Sequence, residues 1–403
     1  MIRGSLTAIL FLLLCHSPAA GQAILLFSNG QRLTNFQSVV PFLTIAPDAR
    51  AGGLGDAGVA TSPDIFSQHW NPSKYVFLES KSGYAISYTP WLRKLIPNIN
   101  LFYISGFYRP DQKQSISASF RYFSLGEMIF TNIYGINHWF PYVDEFAVDV
   151  AYSRLLTDNL SGAVAFRLIR SDLAGGNYFS GSESKPGTAF AGDLALYYRK
   201  DIILSGLDSE ASFGLHLSNL GNKIAYSGHQ DKAFIPANLG LGGSYQVKFD
   251  IENSLSLNLD LNKLLVPTPP EYMTDSIGRY VYDKNGDRII AAGKDLSVSA
   301  LRGMIQSFYD APGLFNENGK RSILREELNE ITCSVGAEYC WRYLAFRTGY
   351  FHEHETKGNR KFFTFGTGLE IKRFQLGLSY LLPVKRNSPL SNTFRFSLGV
   401  KIG

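Results

Sequence analysis

Along most of the chain apolar and polar side chains alternate with a period of two. From Ser254 to Asn262, Leu255, Leu257, Leu259 and Leu261 share one face, and Ser254, Ser256, Asn258, Asp260 and Asn262 the other. The same alternation sets Phe394, Phe396, Leu398, Val400 and Ile402 against Arg395, Ser397, Gly399 and Lys401. It sets Phe374, Leu376, Leu378 and Tyr380 against Gln375, Gly377 and Ser379, and Phe146, Val148, Val150 and Tyr152 against Asp149 and Ser153. Successive side chains of a strand point to opposite faces, so each run predicts a β-strand with one greasy face and one small or polar face. Read throughout, the pattern predicts fourteen strands, near 83–90, 99–109, 114–133, 145–155, 160–172, 188–200, 210–219, 238–250, 254–263, 332–340, 342–353, 361–372, 374–383 and 392–402.

A soluble sandwich alternates as well, and the connection lengths separate the two architectures. Even-to-odd connections are short: PDQK, the turn at Thr157 and Asp158, IENS, Trp341 with Arg342, Arg373 with its neighbour and, longest, DIILSGLDS. Odd-to-even connections are long, among them PWLRKLIPN, NIYGINHWFPYV, NLGNKIAYSGHQDKAFIPA and the whole of 264–331. Alternating periplasmic turns and extracellular loops, with an even strand number, mark an outer-membrane barrel. Ile371 and Phe374, flanking Lys372 and Arg373, are expected to pair and face outward, with Trp91, Trp139 and Trp341 in the interfacial belts. The expected fold is therefore all-β: a 14-stranded antiparallel transmembrane β-barrel over 83–403, with a large extracellular insertion at 264–331.

Composition agrees. Aromatic residues make up 14% of the chain and charged residues 18%, against about 25% charged in a typical soluble domain. The net charge of +5 is scattered and contains no basic run that would recruit nucleic acid. Residues 1–23 read as a signal peptide, with Arg3 ahead of the apolar run Leu6 to Leu14 and cleavage expected after Ala23. The bulky Leu14 before Cys15 argues against lipidation. Beyond that segment no apolar run approaches the roughly 20 residues of a membrane helix. Cys333 and Cys340, seven apart in one strand, point to opposite faces and are not expected to bond.

Residues 24–82 do not alternate. They are rich in Gly and Ala, hold Pro41, Pro47, Pro63 and Pro72, and suit a plug packed inside the lumen. Within them Gly53, Gly55 and Gly58 spell G-x-G-x-x-G, but the strand and helix that a dinucleotide site requires are absent. The pattern Asp48-Ala-Arg50-Ala-Gly-Gly53-Leu-Gly55-Asp-Ala-Gly58, followed by Asp64 and then Asn71-Pro72, resembles the N-terminal hatch of FadL-type outer-membrane proteins. The run from His69 to Leu95 resembles more specifically the PorV-type, FadL-like proteins of the type IX secretion system. The chain ends Val400-Lys-Ile402-Gly403, departing from the aromatic finish usual in barrel-assembly signals.

That resemblance implies a Gram-negative outer-membrane protein that binds the C-terminal signal domain of secreted cargo at the translocon and carries it to the surface attachment complex. Outer-membrane lipid or lipopolysaccharide would be its surroundings. Two rivals stay open: FadL-like transport of hydrophobic compounds, and a lipopolysaccharide deacylase.

Candidate chemistry is thin. Asp283-Lys-Asn285-Gly-Asp287 resembles the start of a calcium loop, but Lys294 stands where its glutamate belongs, and an Asn-Gly hairpin is the expectation. His352 and His354 share a strand face with no third ligand in view, so a polar strand tip is expected. His216 would face the lumen as part of a polar wall, and no G-x-S-x-G turn occurs. No catalytic, cofactor or metal site follows. The candidate partner-binding loop is the insertion, with Tyr272 and the helical stripe Leu301, Met304, Ile305 and Phe308, which is expected to pack the loop onto the barrel rim.

Overall fold

A computed structural model describes residues 38–403 except 95, 97, 132–136, 174–177, 180–181, 184, 205, 227–231, 316–318 and 386–387. The signal peptide and residues 24–37 lie outside the described residues. Fourteen antiparallel strands close into a barrel. They are β1 (Ser82–Pro90), β2 (Asn100–Tyr108), β3 (Gln114–Thr131), β4 (Asn137–Leu155), β5 (Leu160–Asp172), β6 (Gly187–Leu204) and β7 (Leu207–Gly221), then β8 (Asn238–Lys248), β9 (Asn253–Leu264), β10 (Ile331–Trp341), β11 (Leu344–His352), β12 (Lys361–Ile371), β13 (Phe374–Pro383) and β14 (Thr393–Ile402). Closure pairs β1 with β14, from Ser82 opposite Ile402 to Tyr88 opposite Phe396.

The alternation has its physical cause in two different surroundings. Outward side chains such as Phe102, Ile104, Phe166, Leu257, Phe365 and Phe396 are exposed, and only a bilayer can cover so much apolar surface. Inward ones such as Asp149, Arg167, Asp193, Asp260, Glu338 and Arg395 are buried. No described helix is long and apolar enough to cross a membrane. Ile371 faces Phe374 across a two-residue turn with Lys372 at φ 53°, and both apolar side chains are exposed. Cys333 and Cys340, both in β10, are free thiols.

Several boundaries differ from expectation, and three of the differences have an evident physical cause. β4 begins at Asn137 rather than 145, pairing Ile129 with Trp139. Consecutive aromatic residues there hide the period, and bulges on either side of Gly126 shift the register. DIILSGLDS is mostly strand, with Ile203 opposite Asp208 and Leu204 opposite Leu207; its unbroken Ile-Ile-Leu run conceals the alternation. The connection expected at Trp341 with Arg342 is Arg342-Tyr343, since Trp341 is the last residue of β10 and pairs with Leu344.

Residues 38–80 run down the lumen. At the extracellular mouth Val40, Phe42, Leu43 and Ile45 cluster with Ile99, Leu101, Phe123 and Ile169 of the wall. Trp91, expected in the lipid belt, packs against this cluster instead. Near the periplasmic end Ile65, Phe66, Tyr75 and Leu78 cluster with Ala85 and Phe107. Between the two apolar seals the plug meets the wall through charge and hydrogen bonds.

Candidate functional site: the plug and the extracellular insertion

The plug is built from small turns. Helix α1 (Ala49–Gly52) is capped by Asp48, whose carboxylate accepts from Ala51 N at 2.9 Å and from Trp70 Nε1 at 2.7 Å. Burial and the neighbouring Asp64 push the Asp48 carboxyl up from the ordinary range. Arg50 donates to Asp64 at 2.8 Å and reaches Glu338 of β10 at 2.8 Å, while Arg347 of β11 holds the same Glu338 at 2.6 Å. Asp64 and Glu338 are both buried, so removal of Arg50 would strand uncompensated carboxylates.

Gly55 has φ 72°, and a Cβ there would lie 2.7 Å from Tyr350 N of the wall. Only glycine fits that conformation and that approach. The amides that a phosphate would need are taken: Gly55 N donates to Thr364 Oγ1 at 2.8 Å, and Gly58 N and Val59 N donate to Asp260 at 2.6 and 2.8 Å. Gly53 sits against Gly366 of β12, and Gly58 lies under the Trp70 ring. After helix α2 (Ser67–Trp70), Asn71 donates to Val59 O at 3.1 Å and to Leu196 O of β6 at 2.9 Å, and its Oδ1 caps Ser73 N. Pro72 opens a 3-10 turn, its carbonyl accepting from Ser153 Oγ at 2.8 Å. The Lys74 ammonium donates to Gly58 O at 2.8 Å, and burial pushes it down to about 8.

The structure thus brings Asp48, Arg50, Gly53, Gly55, Gly58, Asn71 and Pro72 together in one lumenal body. The residues that sequence reasoning missed are their wall partners Asp260, Glu338 and Thr364. A signal existed in the charged residues on the small-residue face of spanning strands. His216 lies in the same polar wall, with Nε2 3.6 Å from Asp193, whose carboxylate is held by Arg167 at 2.9 Å.

The insertion rises from β9 and returns to β10. Its first part is two-stranded, Glu271–Tyr272 against Ile290–Ala292, with Tyr272 half-buried against Tyr280 and Arg288 rather than joined to the helical stripe. Asp283 to Asp287 closes a hairpin through the Tyr282–Arg288 bridge. Gly286 alone takes positive φ, 85°, so the turn is wider than the two-residue Asn-Gly form. Two helices follow, α3 (Ala300–Gln306) and α4 (Ile323–Asn329), N-capped by Ser299 and Ser322.

Both helices are inside out. In α3 the buried residues are Gly303 and Gln306. Gly303 packs on Phe234 and Pro267, where a Cβ would lie 2.5 Å from the Phe234 ring, and Gln306 donates to Asp295 O. The stripe expected to pack onto the rim points away from it: Leu301 is 70% exposed, Ile305 58% and Phe308 50%, with Met304 half-buried. The spacing identified a helix correctly, but the small face won the inward position because the plane beneath is already apolar and close. In α4, Leu324 and Leu328 are exposed while Glu326 and Glu327, with Glu330 just past its end, are buried.

Those glutamates close a charge knot on the barrel. Lys263 at the end of β9 holds Glu330 at 2.5 Å and Glu327 at 3.0 Å; Lys357, between β11 and β12, holds Glu326 at 2.7 Å and Glu330 at 2.9 Å. Thr268 Oγ1 donates to Glu330, Ala311 N to Glu327 and Gly313 N to Glu326. Asp310, 1% exposed, accepts from Thr268 N at 3.3 Å, and burial with Glu327 and Glu330 nearby pushes its carboxyl up to about 7. Beside the knot His354 caps the turn Glu355–Lys357, its Nδ1 accepting from Thr356 N at 3.3 Å. Among the described residues no cluster of three or more His, Cys, Asp or Glu could hold a metal.

The family model for the type IX secretion system protein PorV matches residues 28–271, through the plug and the first nine strands to the foot of the insertion. The chain belongs to the PorV family. This PorV-family chain is accordingly a Gram-negative outer-membrane barrel associated with type IX secretion. No curated protein sequence matches it. Similar solved structures include the toluene transporter TodX of Pseudomonas putida, at 10% identity and a TM-score of 0.45 over 92% of this chain and 98% of TodX. A FadL homologue of Pseudomonas aeruginosa aligns at 10% identity and 0.45 over 92% and 100%. LpxR of Salmonella typhimurium aligns at 7% and 0.33 over 79% and 100%.

Proposed function

We propose that the protein is a cargo-binding shuttle of type IX secretion. It would take the C-terminal signal domain of secreted proteins at the translocon and deliver it to the surface attachment complex, with the insertion as its docking face. The observation that carries this reading is the inverted amphipathicity of α3 and α4 above the extracellular mouth. Two short helices that turn leucine and isoleucine outward, and glycine, glutamine and glutamate inward, are poorly suited to water and well suited to a protein surface. Burying Leu301, Ile305 or Phe308 against a partner would each favour binding by up to about 1.5–3 kcal/mol. The plug, bound to the wall by ion pairs and amide hydrogen bonds, favours a closed platform over passage of hydrophobic compounds through the lumen. Deleting 270–320 is expected to leave a heat-modifiable barrel that no longer captures cargo. Undiminished pull-down by such a variant would refute the assignment.

A further inference from the structure

The lipid-facing wall is not smooth over β4 to β7. One register row crosses it, with Arg154 opposite Gly162, Gly162 opposite Leu196, and Leu196 opposite Leu215. Gly162 is a gap in that row. Around it lies a cavity of about 610 Å³ whose lining is aliphatic apart from glycine, Tyr152 and Arg154. Gly162 brings no side chain to the floor, and Leu156 Cδ1 and Leu196 Cδ2 flank it, 3.3 and 3.5 Å from where a Cβ would stand. A second hollow of about 360 Å³ shares Leu196 and Leu215 and continues past Phe213 to Leu241, so the two form one trough along the outside of the barrel.

Depth and charge say what fills it. The first hollow reaches the short turn closed by Leu156 N donating to Leu160 O at 2.8 Å, which places it at the periplasmic boundary. Arg154 stands there on the outward face, exposed, and among the described residues no carboxylate lies within ion-pair distance of it. A cation facing lipid costs about 2–4 kcal/mol at the midplane and about 0–1 near the interface, so this arginine sits at head-group level. An unfilled hollow in hydrocarbon forfeits dispersion contacts on every lining atom. A flexible acyl chain can follow the irregular floor, and a phosphate complements the guanidinium at its end.

We propose that this trough binds a phospholipid of the periplasmic leaflet, with an acyl chain laid over Gly162 and the phosphate on Arg154. The site is separate from the insertion, which lies at the opposite end of the strands.

Native mass spectrometry of the full-length protein, loaded with phosphatidylglycerol and washed with detergent, tests the proposal. The wild type should keep a single phospholipid per barrel after other lipid is stripped. Gly162→Leu fills the floor and should lower retention by about tenfold or more, equivalent to about 1.4 kcal/mol. Arg154→Gln should lower it severalfold and weaken the preference for an anionic head group. Heat-modifiable migration reports whether each variant folds, and Val164→Trp narrows the same trough if Gly162→Leu does not. Equal retention by wild type and a folded trough-filling variant would overturn the proposal, as would retention of lipopolysaccharide, of a bound protein or of nothing in place of phospholipid.

Discussion

Asp260 of β9 holds the amides of Gly58 and Val59 on one carboxylate oxygen, at 2.6 and 2.8 Å, across 202 and 201 residues of chain. A turn that spells a phosphate loop is thereby anchored to the barrel wall by a fixed anion. Asp260→Ala leaves two buried donors unpaired, at about 1–3 kcal/mol each. The barrel should persist while the plug loosens, which cleavage at Arg50 by trypsin would reveal. Asp260→Asn keeps one acceptor and should be milder.

Gly55→Val meets two obstacles, a left-handed φ of 72° and the Tyr350 backbone at 2.7 Å. The plug should become protease-sensitive, with no nucleotide affinity present before or after the change. Hydrogen exchange over 49–60 and a nucleotide-binding titration measure the two halves of this statement.

The knot under α4 gives a third test. Lys357→Met removes the cation between Glu326 and Glu330 and should cost about 3–5 kcal/mol locally, since a buried carboxylate is left without its counter-ion. Faster hydrogen exchange in 300–330, with the barrel strands unchanged, is the expected pattern.

Acidity should act on the same seat with a defined sign. Asp310 is raised from 3.8 to about 7 in the folded protein, so the seat gains stability when this carboxyl is protonated and loses it as pH rises through about 7. Glu327 is raised as well, chiefly by burial, and works in the same direction. The protection of 300–330, corrected for the intrinsic exchange rate at each pH, should therefore fall between about pH 4 and pH 7 and level off above that, and Asp310→Asn should flatten most of that dependence. A seat that loosens on acidification in this range would contradict the assignment.

The strands were legible in the sequence because two solvents, lipid outside and a polar plug inside, impose opposite demands on alternate residues. The pattern failed where the chain itself blurs that contrast, at the bulges beside Gly126 and in the Ile202-Ile203-Leu204 run. The plug residues were found as a motif, but their partners Asp260, Glu338 and Thr364 lie 202 to 309 residues away, and periodicity carries no information about such pairing. Helical spacing located α3 and could not orient it. Gly303 makes its small face the closest-packing one, so the apolar stripe is left outside.

That outward stripe carries the central claim, and one measurement addresses it directly. A variant with Leu301, Ile305, Phe308, Leu324 and Leu328 all changed to Ser alters exposed side chains and leaves the Lys263–Glu330 and Lys357–Glu326 pairs in place. Isolated from the outer membrane as a heat-modifiable barrel with unchanged exchange in the knot, it should lose co-purification of secreted proteins that carry a shared C-terminal signal domain. Full recovery of those proteins with this variant would contradict the account.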